Sequence, residues 1–593
     1  MTVAATEMPA GVRHGFDYTK LVLYTFAAVL VMLIVLPMSW LVYYSLVTKD
    51  GAFTLGNFAT LINDPTLLDP LITTFTLATS VSLICCAVAA PMGWLVARTD
   101  MPFRRTVRLL VTASFVTPPF LGAIAWELLA APNSGLINKV FRVVTGAESD
   151  AVLFNIYSFP GLIFVVSCYT FPYVFVLVAN ALDRTPGELE DASSVLGGGT
   201  WVTARRITVP LALPALLAGA LVAFLQAMTL FGSPAILALP AGFHTMTTKI
   251  WSLFQYPPKP ELAAAASLPL LIITVMLLRA EHMILGRRSY AVLGGKNSAP
   301  RIIPLGKLKW MALAFCFIVL LNPVFLPYGA LLNATFSKVA SQFVTFTNFT
   351  THNIHFVFFE LSATKLALYN TFVLGIATAT IGTVLAVVIA YLTSREAVTG
   401  HKALGFLATA PVAIPGIVLG VGLFLSYTSL PGAISFICGK AGWSCDGFAS
   451  KFQLYGTLWI LLFAFLTLAM PAAYQQMQSA FKAIHPELED ASRILGATRL
   501  TALRQITAPL LRTSVIATWC FVFVGTIREL SAAVMLFTSD TKVLSVLIFD
   551  LNESGDLAAI SVLGLTLLVI TSAIVTLANR LRIGGGNVRL RDN

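Results

Sequence analysis

Arg528 and Glu529 stand side by side within an apolar stretch, where an ionised side chain is expensive and therefore a functional candidate by default. Neighbours in sequence point to different faces of a helix and do not simply pair with one another. The two are read either as positions lining a path for substrate or as polar contacts with other helices. Catalysis finds less support. A phosphate-cradling loop needs glycines followed by Lys-Ser or Lys-Thr, yet Lys296, Lys307 and Lys440, which each follow a glycine, precede Asn297, Leu308 and Ala441. His-Glu-x-x-His, paired Cys-x-x-Cys and Gly-x-Ser-x-Gly patterns do not occur. His352 and His355 have ligand-like spacing without a third ligand, the pattern of surface histidines. The expectation is no catalytic residue, no metal site, no cofactor and no nucleotide hydrolysis by this chain.

The elements that position these residues are set by composition. Of 593 residues 57% are hydrophobic and 11% charged, against roughly 25% charged in soluble domains. Apolar runs of about 20 residues recur along the chain, each long enough to cross a ~30 Å hydrocarbon layer. About twelve spans are expected, near 21–47, 71–97, 107–130, 157–182, 212–239 and 262–286, then 310–336, 365–392, 403–428, 454–480, 512–537 and 557–580. The fold class is an all-α polytopic membrane protein. The formal charge of +11 gathers at the ends of spans, which is a topology signal and not a nucleic-acid footprint. Arg98, Arg104, Arg105 and Arg108 crowd one connection while Asp50, Asp64 and Asp69 mark the one before it. Lys296, Arg301 and Lys307 fill the centre, and Arg580, Arg582, Arg589 and Arg591 the tail. The positive-inside rule then places both termini and the centre in the cytoplasm.

The expected segments are 1–20 (N-terminal), 21–286 and 310–582 (membrane), 287–309 (linker) and 583–593 (tail). The first run is read as a retained span, since no small-residue cleavage site follows it. Cys438 and Cys445 flank a polar stretch on the outer side, where a disulfide is permitted. Cys85, Cys86, Cys168, Cys316 and Cys520 read as small hydrophobes. Glu127 beside Trp126 is expected at the membrane interface. Pro118, Pro119, Pro411 and Pro415 suggest paired kinks in the third span of each half.

The chain repeats itself. Glu188-Leu189-Glu190-Asp191-Ala192-Ser193 recurs as Glu487-Leu488-Glu489-Asp490-Ala491-Ser492, and the match runs on without a gap through Leu196-Gly197, Arg205, Ile207-Thr208 and Pro210-Leu211 against Leu495-Gly496, Arg504, Ile506-Thr507 and Pro509-Leu510. Weaker echoes pair Pro172 with Pro471 and Thr74-Phe75 with Thr371-Phe372. An even number of spans separates equivalent points, so the halves share one orientation. Locally, Pro186, Glu188, Glu190 and Asp191 suit a helix N-terminus. Gly197 can end that helix left-handed, and a second short helix is expected up to Pro210.

This spacing resembles the EAA loop of permeases in binding-protein-dependent ABC importers. The departures are Asp191 and Asp490 for the first Glu, Ser193 and Ser492 for the second Ala, and Val209 and Ala508 for the Leu before Pro. The resemblance implies the type I importer transmembrane fold, two homologous six-helix halves moving by alternating access. It implies that Glu188, Glu190, Asp191, Ala192, Gly197, Ile207 and Pro210, with Glu487, Glu489, Asp490, Ala491, Gly496, Ile506 and Pro509, couple to a separate ATP-binding subunit, present as a homodimer. It also implies an extracytoplasmic solute-binding protein and an inner-membrane location.

Phe231-Gly232-Ser233-Pro234-Ala235-Ile236-Leu237 with Thr247-Thr248-Lys249-Ile250, and Arg528-Glu529-Leu530-Ser531-Ala532, resemble signatures of fused permeases that import ferric iron and related small anions. Gly232, Ser233, Arg528, Glu529 and Ser531 become candidates for the path. Ferric iron is the implied substrate, with phosphonate, sugar phosphate, thiamine or polyamine as alternatives. A secondary transporter of the major-facilitator type, also about twelve spans in two parallel halves, is the competing class; the paired loop argues against it.

Overall fold

The computed structural model describes residues 18–185, 187–286, 302–396 and 399–584. The N-terminal segment up to residue 17, the linker from 287 to 301, the tail from 585 and Pro186 lie outside the described residues. The first half runs α1 (Leu21–Ser45), α2 (Pro65–Arg98), α3 (Arg104–Val116), α4 (Pro119–Ala130), α5 (Phe159–Arg184), α6 (Glu188–Val195), α7 (Trp201–Thr229), α8 (Gly232–Leu237), α9 (Met246–Ser252) and α10 (Pro260–Gly286). The second follows as α11 (Gly306–Phe336), α12 (Ser362–Ser394), α13 (His401–Thr409), α14 (Gly416–Lys440), α15 (Leu458–Lys482), α16 (Glu487–Ile494), α17 (Leu503–Ile527), α18 (Ala533–Leu536), α19 (Leu544–Ser554) and α20 (Leu557–Gly584).

Among the described residues 11 helices are long and apolar enough to cross a bilayer, or 12 if the pair α3 and α4, bent by 97°, counts as one broken span. Helices are forced here because hydrocarbon offers no partner for backbone N–H and C=O groups. Each span divides its apolar residues between two environments. On α2, Leu77, Val81, Cys85 and Met92 are buried against neighbouring helices, while Ile72 and Leu83 stay exposed on the lipid-facing side.

Four spans expected to be continuous are interrupted. The expected span 107–130 breaks at Thr117, held extended before Pro118, because a residue preceding proline is pushed out of the helical region. The expected span 403–428 breaks likewise at Ile414, before Pro415, and its long helix starts at Gly416 and runs on to Lys440. The expected spans 212–239 and 512–537 end early, at Thr229 and Ile527. Their chains fold back through α8 and α18. The carbonyls freed at these two ends are taken by side chains: Thr247 Oγ1 donates to Leu230 O (2.9 Å) and Ser545 Oγ to Glu529 O (2.7 Å).

Among the described residues four of the spans contain a wide turn in which an N–H reaches back five residues, at Val31–Val35, Ala204–Thr208, Leu321–Phe325 and Leu503–Thr507. Each ends two residues before a proline: Pro37, Pro210, Pro327 and Pro509. A proline ring collides with the carbonyl four residues back in a regular α-helix, and a π-type turn moves that carbonyl aside. The helix after Gly197 therefore does not stop at Pro210 as expected. It continues through the proline into the span, so the part of the loop from Trp201 onward and the fifth span are one helix.

Each half's first span packs on the opposite half. Tyr44 on α1 shares a hydrogen bond with Ser429 on α14 (2.8 Å), and Tyr328 on α11 with Thr117 at the α3–α4 break (2.7 Å). Glu127 accepts from Tyr157 (2.8 Å), and Trp126 beside it is buried against α11 with Nε1 donating to Asn322 O (3.2 Å). Cys438, in the last turn of α14, is disulfide-bonded to Cys445 across the polar stretch between them. His355 faces Glu360 at 3.0 Å on the surface.

Candidate functional site

The two repeated loops are held by one arrangement built twice. In the first, Glu190 turns inward from α6 while Glu188, Asp191 and Ala192 remain exposed. Thr208 Oγ1 donates to Glu190 Oε1 (2.8 Å), Arg98 Nη1 lies 3.8 Å from Oε2, and Arg98 Nη2 donates to Thr185 O (2.7 Å). In the second, Thr507 Oγ1 donates to Glu489 Oε1 (2.9 Å), Arg395 reaches the same oxygen with Nη2 (2.9 Å) and Nε (3.1 Å), and Nη2 also donates to Ile484 O (3.2 Å). A buried charge pair is tolerable only when well paired and hydrogen-bonded, and each of these ties three elements: the end of the second span, the loop helix and the start of the fifth span.

Sequence reasoning took Arg98 for a topology charge and did not single out Arg395. The signal was present: the register that aligns Thr74 with Thr371 also aligns Arg98 with Arg395. Thr74 and Thr371 are equivalent in space as well, accepting from the first amides of α9 and α19, Met246 N (2.7 Å) and Leu544 N (2.8 Å).

Beyond the acidic turn, Gly197 (φ 81°) and Gly496 (φ 91°) end the loop helices in the left-handed region. The apolar side chains before them point into solvent: Val195 and Leu196 are 86% and 87% exposed, Ile494 and Leu495 85% and 89%. Ile207 and Ile506 are half-buried, and Pro210 and Pro509 exposed. Two apolar tips on rigid mounts, on the same side of the molecule, form a surface fit for a partner.

The second candidate region lies between the halves. A cavity of about 900 Å³ is lined at one end by Gly232, Arg528, Glu529 and Ser531 and extends past Gln226, Gln475 and Gln476 to Leu278, Glu281 and Ala578, near the loop-bearing ends of α10 and α20. Pro119, Pro411 and Pro415 line it too, so both broken third spans border it. Ser233 does not; it is fully buried and donates to Pro119 O (2.9 Å). Away from the loops, Phe231, Trp251 and Phe549 stack on one another across the two halves, with ring centroids 5.8–6.1 Å apart.

Arg528 and Glu529 are not consecutive residues of a span, as the sequence suggested; they form the turn that follows α17. Glu529 Oε1 accepts from Ala532 N (3.1 Å), and Arg528 Nη2 reaches Thr117 O of the first half (3.4 Å). Gly232 is packed hard: an added Cβ would lie 2.6 Å from Phe120 Cβ and 3.2 Å from Leu530 Cδ2.

Residues 89–288 and 382–582 each match the family described as binding-protein-dependent transport system inner membrane component. The chain belongs to that family. This inner membrane component is thus a multi-pass inner-membrane protein carrying the permease fold of ABC importers in two copies. It is 25% identical over 466 residues to the ferric transport system permease protein FbpB of Actinobacillus pleuropneumoniae, covering 78% of this chain and 63% of that one. It is 25% identical over 435 residues to a putative ferric transport system permease protein of Haemophilus influenzae, 72% of this chain and 64% of the relative. The chain therefore spans under two thirds of the length of these two relatives. One half is 25% identical over 219 residues to the molybdenum transport system permease protein ModB of Mycobacterium tuberculosis, 37% of this chain and 80% of that one. Among solved structures, a bacterial ABC transporter for the acidic polysaccharide alginate matches at 17% identity and TM-score 0.38, covering 46% of this chain and 96% of that chain.

Proposed function

We propose that this chain is a membrane permease of an ABC importer, two units (21–286 and 310–582) around one path, coupled to a pair of identical ATP-binding subunits and fed by an extracytoplasmic binding protein. The observation that carries the reading is the pair of apolar tips, each set on a loop whose inward glutamate is clamped by an arginine and a threonine. A push on either tip passes from the loop helix through its glutamate to Thr208 or Thr507, on the helix that continues as the fifth span, and so moves the wall of the cavity. The loops and both termini face the cytoplasm, and the disulfide-bonded loop faces outward. Glu188, Asp191, Glu487 and Asp490 present acidic groups to the ATPase around each tip. Gly232, Arg528, Glu529 and Ser531 line the path, which opens toward the loops and is closed on the far side by Phe231, Trp251 and Phe549. Ferric iron is the proposed substrate, in line with the names of the relatives that cover most of the chain.

The chain itself hydrolyses nothing; it is conduit and transmission. Charge reversal at both exposed glutamates, Glu188→Lys with Glu487→Lys, is expected to abolish ATP-driven uptake in proteoliposomes and to uncouple the ATPase while membrane insertion stays normal. Wild-type uptake by that double variant would remove the coupling role.

A further inference from the structure

We propose that the path receives its cargo by an oxyanion, with Arg528 as the docking cation for a phosphate- or carboxylate-type group, either free or coordinating ferric iron. The inference rests on the path reading above and deepens it by naming the charge of what passes.

Three charged residues line the cavity, Arg528, Glu529 and Glu281, and only one of them is a cation. Glu529 is committed to the fold: its Oε1 caps the turn through the Ala532 amide, and the absence of a Cβ on Gly416 makes the room it occupies, 3.0 Å from where that Cβ would be. Its charge is therefore spent on backbone dipoles and packing. Arg528 is differently placed. Among the described residues its guanidinium makes one long hydrogen bond, to Thr117 O (3.4 Å), and Nε is buried with no acceptor. The groups it faces from the neighbouring helices are the phenols of Tyr173 and Tyr328, besides Glu529 next to it in sequence.

A guanidinium offers five N–H donors in a planar fork, and burying it without a carboxylate is costly. That fork matches the paired oxygens of a carboxylate or phosphate. A bare trivalent cation beside it would be repelled, the more strongly because a site screened from water has a low dielectric. The rest of the wall near it is neutral and able to bond oxygen or hydroxyl groups: Gln226, Thr229, Gln475 and Gln476. The equivalent position in the first half is Thr229, so the path holds a single cation at this level.

The test uses the whole transporter, permease with ATPase subunits and binding protein, in proteoliposomes supplied with radio-iron as Fe³⁺, labelled inorganic phosphate, or both. Wild-type uptake is expected to need the oxyanion. Arg528→Gln is expected to lower it by about 10-fold or more, and Arg528→Lys, which keeps the charge, to retain it within a few-fold. Iron and phosphate entering in a fixed ratio identifies a ferric complex as the cargo; phosphate entering without iron identifies the free oxyanion. Either supports the proposal. Iron uptake indifferent to any oxyanion overturns it, as does Arg528→Gln matching wild type, or Arg528→Lys falling as low as Arg528→Gln. Should Arg528→Gln not assemble, the Arg528→Lys arm decides alone. A wild-type transporter that moves neither label with ATP takes down the importer reading itself, whereas ATP-driven uptake insensitive to residue 528 takes down only the oxyanion.

Discussion

The loops and the mid-membrane turns are both duplicated, but they have been kept differently. At the loops the halves use the same set of groups: arginine, glutamate, threonine and a backbone carbonyl recur, with the arginine closer to the glutamate in the second half. At the turns only the scaffold recurs, with Thr247 and Ser545 bonding equivalent carbonyls, while Thr229-Leu230-Phe231-Gly232 faces Arg528-Glu529-Leu530-Ser531. The loops meet two copies of one proposed partner and must be alike. The turns share a single cavity, where one charged wall and one neutral wall suffice.

The comparison can be broken most forcefully at the clamps. Arg98→Ala leaves Glu190 buried beside an empty site and is expected to cost about 3–5 kcal/mol, read as lost thermal stability of the purified permease and lost co-purification of the ATPase. Arg395→Ala, at a pair whose side chains are each 11% exposed, is expected to cost about half as much, because water reaches the orphaned carboxylate. A larger loss at Arg395, the closer of the two pairs, would mean that contact distance, not burial, sets the strength of the clamp.

At the tips, Leu196→Ala and Leu495→Ala are each expected to weaken ATPase association about 10-fold, the scale of one truncated apolar anchor. The permease alone should be as stable as before, since both side chains are solvent-exposed. Unequal losses in a binding assay would show that the two docking surfaces are not alike. For the turns, Gly232→Ala is expected to destabilise the permease by about 1–3 kcal/mol through the clash with Phe120, whereas Ser531→Ala, which keeps its Cβ, should fall within ~0.5 kcal/mol. A harmless Gly232→Ala would mean that the first-half wall is looser than its packing. Smaller losses than at Gly232 belong to Gly197→Ala and Gly496→Ala. With open space around the new Cβ, each costs only the left-handed backbone, about 1 kcal/mol, and a double variant should show the sum.

Much of this was legible in the sequence, for physical reasons. Apolar runs report the bilayer directly, so the spans could be placed, and polar residues shared between two loops are too specific to arise from hydrophobicity alone, so the duplication was visible from Glu188 and Glu487. What was hidden lay inside apolar runs. Hydropathy is blind to a helix that stops at Thr229 or Ile527 and folds back while still in hydrocarbon, because the side chains stay apolar and the freed carbonyls are satisfied by Thr247 and Ser545 from elsewhere. Prolines misled in the other direction: Pro210 looked like an end, and the wide turn before it lets the helix pass. Arg98 was hidden by its company, three other arginines that serve topology.

The exchange of first spans has a consequence for assembly and evolution. Because α1 embraces the second half and α11 the first, each unit is belted by a helix belonging to its neighbour, and the covalent join between them is mechanically redundant. Two separate chains of this design would clasp through the same contacts. Joining them end to end changes stoichiometry, not architecture, and it frees the two walls of the shared cavity to diverge without any risk that like pairs with like.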